Sequence, residues 1–336
     1  MRFAKREAMS FKNVLGHSRP IILLQRAIEN EKVVNSYLFL GSEGIGKKFV
    51  ALQFTKALNC LGGEAERGDS CDHCSSCKKI DHALHPDVFL IEPEGQNIKV
   101  DQVRQLQKEL VYKPYEGKRR VCILTSADRM APNMSNILLK TLEEPPLHTV
   151  IILLANNSRL MLPTILSRCQ PVRFNPLPIP LVSKWLLETK GLNETEALLL
   201  ASLSEGSPGK ALEIQEGIRQ IPREELLKEW VGLKSLSFNR IGGWVESLPS
   251  QRENLLLMLE VAKTMLRDLV MLKTLKKELK LIHSDLLHVM EPIAMKWSLS
   301  SLLKRTEILH QTTLAIRANA NTSLALEAMM LSWAEG

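Results

Sequence analysis

In the first half of the chain, short unbroken apolar runs alternate with stretches of helical spacing. SYLFL (36–40), DVFLIEP (87–93), RRVCILTSA (119–127), TVIILLANN (149–157) and PVRFNPL (171–177) read as strands. Apolar runs of this kind, bounded by turn residues, suit strands buried on both faces. KKFVALQFTKAL (47–58) reads as a helix with Phe49, Leu52, Phe54 and Leu58 on its inner side. VDQVRQLQKELVY (100–112) is a second helix, with Val103, Leu106 and Leu110 on one face. MSNILLKTLEE (134–144) is a third, stopped by Pro145 and Pro146, and PTILSRC (163–169) is a short fourth with proline in its first turn. Strands alternating with helices predict an α/β domain whose sheet is mainly parallel.

After the proline-rich PLPIP the strand signals stop and helical spacing takes over. The pattern divides the chain into 1–176 (carrying a cysteine-rich insertion at 60–77), a small helical segment at 177–221, and an all-α segment at 222–336. Within 253–282, Leu255, Leu259, Ala262, Leu266 and Leu269 mark one helix face. In NTSLALEAMMLSW, Leu324, Ala328 and Leu331 share helical spacing. Apolar residues also lie outside that stripe, so two readings stand for the C-terminal helices: packing within the chain, or burial against a partner.

Length and composition narrow the classes. A chain of 336 residues is long enough for two or three domains, and its 45% apolar content can supply a core to each. No apolar run approaches the ~18 residues of a membrane span, which excludes a membrane role of that kind. The opening MRFAKREAMS is charged and lacks the apolar core of a signal peptide, and Met9 is an alternative initiator to Met1. Three of the six cysteines crowd into 71–77, which suits metal binding better than a disulfide framework and points to the cytoplasm. The net charge of +7 is compatible with a nucleic-acid neighbourhood and equally with a solvated basic surface.

GSEGIGKKF (41–49) follows the first strand and opens the first helix of the alternating region. Gly41, Gly44, Gly46 and Lys47 fit a P-loop, in which backbone N–H groups cradle phosphate and the lysine reaches its outer oxygens. The next residue should carry a hydroxyl for Mg²⁺, and here it is Lys48. Hydrolysis also needs an acid at a neighbouring strand end. The strand 119–127 ends in Thr125 and Ser126, with Asp128 arriving on the following turn; Glu92, before a proline, is a poorly placed substitute. The loop is therefore degenerate: a phosphate site without its magnesium partners, leaving open whether ATP or ADP occupies it.

Cys60, Cys71, Cys74 and Cys77 are spaced C-x10-C-x2-C-x2-C. Two residues between thiolates let a tight turn aim both sulfurs at one ion, and four such ligands complete a structural Zn²⁺ site. Lys78, Lys79 and Arg67 are at hand to offset its negative charge, whereas Cys122 and Cys169 read as packing residues.

LLKTLEEPP (138–146), LPTILSRCQPVRF (162–174) and the four cysteines after the P-loop helix together resemble the bacterial clamp-loader subunits, AAA+ proteins of the DNA polymerase III holoenzyme. The likeness runs from FKNVLGHSRPIILLQRAI (11–28) to NANTSLALEAMML (319–331). It implies an AAA+ P-loop domain with a parallel sheet and a zinc-module insertion, then a helical lid and a C-terminal collar. Within the family, Thr125-Ser126 stand where ATP-hydrolysing gamma/tau subunits carry Asp-Glu, and Gly209 stands where they place a lid arginine. With Lys48, these departures resemble the delta-prime branch, a stator that often does not hydrolyse ATP. By the same resemblance, Arg168 of the SRC motif is an arginine finger acting in trans on a neighbouring gamma/tau site. The implied partners are gamma/tau and delta subunits, the sliding clamp (beta), and primer-template DNA through the assembly. From the residues alone, Arg168 reads first as one half of a surface or interface ion pair, and it is the matched SRC context that favours the finger. Two other readings compete: an ATP-hydrolysing gamma-type subunit, or a free-standing zinc protein binding nucleic acid through runs such as Lys118-Arg119-Arg120 and Lys276-Lys277. Three tyrosines and five tryptophans offer the last of these little stacking surface.

Overall fold

Five short strands, β1 (Ser36–Leu40), β2 (Val88–Ile91), β3 (Arg120–Leu124), β4 (Thr149–Ala155) and β5 (Gln170–Arg173), pair in parallel in the order β2-β3-β4-β1-β5. In register, Leu38 lies beside Leu153 of β4 and Pro171 of β5, and Ile123 of β3 lies beside Ile152. β1, β3 and β4 are buried almost throughout, because each has a neighbour on both sides and helices over its faces. Pro171, which has no N–H to give to a ladder, is confined to the edge strand β5. The computed structural model describes residues 10–63, 68–95, 98–232, 238–274 and 281–335. The expectations at Met1, Met9, Arg67 and Lys276-Lys277 lie outside them.

The chain forms two compact units. One runs to Leu177 and includes Ser207–Gly209; the other comprises Pro178–Gly206 and the chain from Lys210 onward. In the first, helices α1 (Ser18–Glu29), α2 (Lys47–Asn59), α3 (Ser75–Asp81), α4 (Val100–Leu110), α5 (Pro132–Glu143) and α6 (Pro163–Leu166) surround the sheet. On α4, Val103, Leu106 and Leu110 are buried as their spacing requires, and they join Leu38, Leu124, Leu138 and Leu153 in one core. β3 stops short of the run 119–127 because Ser126 adopts a left-handed backbone and Ala127–Arg129 turn tightly. α5 starts two residues before the expected Met134, since Pro132 suits the first turn of a helix.

The helix α2 departs most from expectation. Rather than one inner side, every residue from Val50 to Asn59 is buried, including Gln53, Thr55, Lys56 and Asn59, while Phe49 is only half-buried. The sheet covers one side, and α1 and α3 cover others. Lys56 has no exposed side-chain surface, and its ammonium lies 2.6 Å from Asp72 of the cysteine-rich insertion and 2.9 Å from Asp81 at the end of α3. Burial works against its charge, and the two carboxylates outweigh burial and raise its pKa. Arg120 also corrects a surface reading. It is buried, 3.5 Å from Asp87 and stacked over Phe89, so one member of the Lys118-Arg119-Arg120 run belongs to the core.

The second unit is helical: α7 (Ile179–Lys190), α8 (Glu194–Leu203), α9 (Pro208–Arg219), α10 (Arg223–Gly232), α11 (Phe238–Ser247), α12 (Arg252–Thr274), α13 (Leu287–Lys296), α14 (Leu299–Arg317) and α15 (Thr322–Glu335). The first two residues of α9 belong to the first unit. α12 buries Leu255, Leu259, Ala262, Leu266 and Leu269, the face read from its periodicity. α15 does not follow its reading. Leu324 is 66% exposed and Ala328 is exposed, whereas Leu326, Met329, Met330 and Trp333 face inward, Trp333 against Trp230 with ring centroids 5.2 Å apart. Apolar residues lie all around this helix, so spacing alone does not choose the face. The Arg305 guanidinium, buried over the Trp297 ring, donates to the Trp333 carbonyl at 2.7 Å and fixes α15 at its end. Among the described residues, no helix is long and apolar enough to cross a membrane.

Removing the buried ammonium leaves two carboxylates facing each other without a cation. Lys56→Ala is expected to destabilise the chain by ~3–5 kcal/mol, read from denaturant unfolding; a loss below ~1 kcal/mol would contradict the clamp role of Lys56.

Candidate functional site

The P-loop sits where β1, an inner strand, runs out of the sheet and turns into α2. At Gly41 the chain passes so close to the exit of β5 that an added Cβ would stand 2.5 Å from the Phe174 carbonyl oxygen. Gly44 and Gly46 both take positive φ, and Gly46 caps α2 with no side chain over its first amides. Those N–H groups, with the helix dipole behind them, form an anion cradle. His17 Nε2 lies 2.9 Å from the Ile45 carbonyl, and burial lowers its pKa, so the neutral ring donates and steadies the loop.

Lys47 is turned back into its own loop. Its ammonium donates to the Gly41 and Ser42 carbonyls and to Asn156 Oδ1, the latter two at 2.8 Å. Burial lowers its pKa to about 8, against the opposing pull of Asp128 and Glu43. Asn156 follows β4, beside the P-loop strand, and escaped the sequence reading because nothing local marks it. Lys48, at the hydroxyl position, pairs with Glu92 at 2.7 Å. The poorly placed acid and the misfit lysine therefore hold each other.

A cleft of ≈ 630 Å³ opens over the loop, lined among others by Lys47, Lys48, Glu92, Thr125, Arg129 and Asn156. The Thr125 hydroxyl donates to the Ile91 carbonyl at 3.2 Å. Asp128 accepts through one oxygen from the N–H groups of Asn156 and Asn157, at 3.2 and 3.1 Å, and its other oxygen is shut off from solvent. Neither residue presents a free carboxylate to the cleft. Gly209 packs its backbone on the loop: its N–H donates to the Gly44 carbonyl at 2.9 Å, and a Cβ there would meet Gly44 at 2.7 Å. Beside it, the Ser207 hydroxyl donates to the Glu43 carbonyl at 2.8 Å.

At the other end of α2, Cys60 forms the C-cap, and its sulfur lies with those of Cys71, Cys74 and Cys77 within 4.8 Å of one another. Four thiols so gathered are a set that could hold a metal ion. Backbone N–H groups already point at the sulfurs: Gly62 and Cys71 at Cys60, both 3.3 Å, Cys74 at Cys71 and Cys77 at Cys74, both 3.4 Å. These donors favour thiolate. Burial opposes charge on Cys74, yet the amides of Cys77 and Leu61 and the neighbouring thiols bring it down to about 6. Burial pushes Cys77 up, so a metal would have to displace its proton. Of the cations expected to offset the site, Lys79 is instead paired with Glu116 at 2.5 Å. Cys122 and Cys169 are buried apart from the cluster.

Arg168 follows α6 on an exposed turn, 2.7 Å from Glu143 of α5 and donating to the Thr164 carbonyl at 3.0 Å. It does not line the cleft over its own P-loop.

Residues 16–178 match a family model described as DNA polymerase III, delta subunit. DNA polymerase III subunit delta' of Pseudomonas aeruginosa is 31% identical over 89% of this chain and 92% of that protein. The chain belongs to the DNA polymerase III delta-prime family. The delta' subunit of Bacillus subtilis is 29% identical over 95% of the chain and 96% of its own length. A gamma/tau subunit of Mycoplasma pneumoniae matches at 30% identity over a shorter part, 64% of the chain and 32% of that protein.

Two outcomes follow for this delta-prime family member. Cys74→Ser should lose bound metal, measured by mass spectrometry of the native protein, and lower the melting temperature by ~5 °C or more; full metal content in the variant would contradict a four-thiolate site. A phosphate ligand on the loop needs Lys47 charged, so ADP affinity should fall as pH rises through about 8. Calorimetry across that range should show the fall, and Lys47→Arg, whose charge persists, should abolish it.

Proposed function

We propose that this chain is a stator-like clamp-loader subunit that does not itself hydrolyse ATP. In this reading it helps gamma/tau and delta subunits load the sliding clamp onto primed DNA in the cytoplasm. Residues 177–221 act as the lid and 222–336 as the collar through which the subunits assemble. The observation that carries the reading is the Lys48–Glu92 pair at 2.7 Å, an ammonium bound to an acid where a catalytic P-loop has a hydroxyl and a metal. Thr125 and Asp128, both engaged with backbone, support it further. The tetrathiolate set is a Zn²⁺ site by its donor chemistry: four soft ligands with no open position, hence structural.

Arg168 supplies a guanidinium in trans to the γ-phosphate held by a neighbouring gamma/tau subunit. Its exposure and its distance from its own cleft support an outward role. The Glu143 carboxylate holds it between encounters, and an exposed pair of this kind costs little to break, ~0–1 kcal/mol. Planar donors and a permanent charge then stabilise the phosphoryl oxygens in the transition state.

A reconstituted loader containing Arg168→Ala should assemble normally yet lose clamp- and DNA-stimulated ATP turnover by tenfold or more, given the ~10³–10⁵ that such fingers supply. Unchanged turnover with the assembly intact would remove the finger from the account. The purified chain alone should show no Mg²⁺-dependent turnover.

A further inference from the structure

The residues around the P-loop do not fit a magnesium ion. Lys48 brings a positive charge to the position where a hydroxyl would coordinate the metal, and Glu92, the nearest acid in the cleft, is bound to that ammonium at 2.7 Å. Asp128 spends one oxygen on two backbone amides and has the other closed to solvent. A dication placed here would face Lys48 with no free carboxylate to hold it. The phosphate cradle, by contrast, is intact: glycines at positive φ, uncapped amides at the start of α2, and Lys47. The charged groups lining the cleft are Lys47, Lys48 and Arg129 against Glu43 and Glu92, with Glu43 itself 3.7 Å from Arg129.

We propose that this loop takes up a nucleoside di- or triphosphate without a divalent cation, with Lys48 standing in for the metal. The inference rests on the reading of the loop as a polyphosphate site and adds the ionic form of its ligand. In the free chain Lys48 is held by Glu92, both partly exposed, so exchanging a carboxylate for a phosphate oxygen requires only a side-chain swing. The ammonium of Lys48 then neutralises charge that Mg²⁺ neutralises at a P-loop carrying Ser or Thr. Magnesium in solution competes, because it complexes the nucleotide that Lys48 would otherwise bind.

The test is calorimetric titration of the full-length protein with ADP, in excess EDTA and again in MgCl2. Affinity in EDTA should equal or exceed that in magnesium. Lys48→Thr should weaken binding in EDTA by about tenfold and make the remaining binding magnesium-dependent. Glu92→Gln, which frees Lys48 without touching the loop, should tighten binding in EDTA. Wild-type binding that requires magnesium would overturn the proposal while leaving the loop a nucleotide site. Unchanged affinity of Lys48→Thr in EDTA would also overturn it. Absence of binding in both media would overturn the polyphosphate reading itself, and the proposal with it.

Discussion

From Val50 to Asn59 the helix α2 has no face in water, and the first unit is organised around that constraint. Its N-terminus is the phosphate cradle and its C-cap is Cys60, so one rod of thirteen residues, about 20 Å long, carries both sites. A helix that buries Gln53, Thr55, Lys56 and Asn59 loses stability wherever a polar group is left without a partner, as Gln53 Oε1 and Asn59 Nδ2 are, and depends on the pairings it does make. Lys56 finds two carboxylates, Asp72 of the cysteine-rich insertion and Asp81 of α3. Asn59 accepts the Arg119 N–H at 2.9 Å, tying the helix end to the approach to β3. The insertion is therefore a wall of the core rather than an appendage, and its order bears on the P-loop through the helix they share.

At the P-loop the same economy of charge holds, with a different result. The cleft keeps its cations and has its acids paired with them: Lys48 with Glu92, and Arg129 with Glu43. At the cysteine cluster the reverse obtains: sulfurs gathered by amide donors, ready for a cation. The two ends of α2 are thus electrostatic opposites, and a backbone helix dipole running between them favours anions at the first.

What the sequence revealed followed from how local each signal was. β1, the P-loop and α2 were legible because an apolar run, three glycines and a helical stretch stand in one continuous segment. The four cysteines were legible by spacing alone. Lys56 was not, since a lysine in a helix ordinarily reads as surface, and only the density of Val50-Ala51-Leu52 with Phe54 and Ala57-Leu58 around it hints that no surface remained. Arg120 escaped for a similar reason, sitting at the end of a basic run that otherwise faces solvent. The Lys48–Glu92 pair spans 44 positions and belongs to no motif. In α15, periodicity found a helix but not its inner face, because apolar residues surround it and the burial of Trp333 against Trp230 is a tertiary fact.

Gly209 ties the P-loop to a residue far along the chain through main chain alone. The contacts of Lys48 with Glu92 and of the Thr125 hydroxyl with the Ile91 carbonyl are made by side chains. Position 209 is different in kind, because a Cβ there would stand 2.7 Å from both the Cα and the carbonyl oxygen of Gly44, and both contacts are with main chain. A side chain cannot be installed there without moving the loop. Any residue larger than glycine at 209 therefore requires the Gly44 backbone to shift, so that position 209 and the P-loop can change only together.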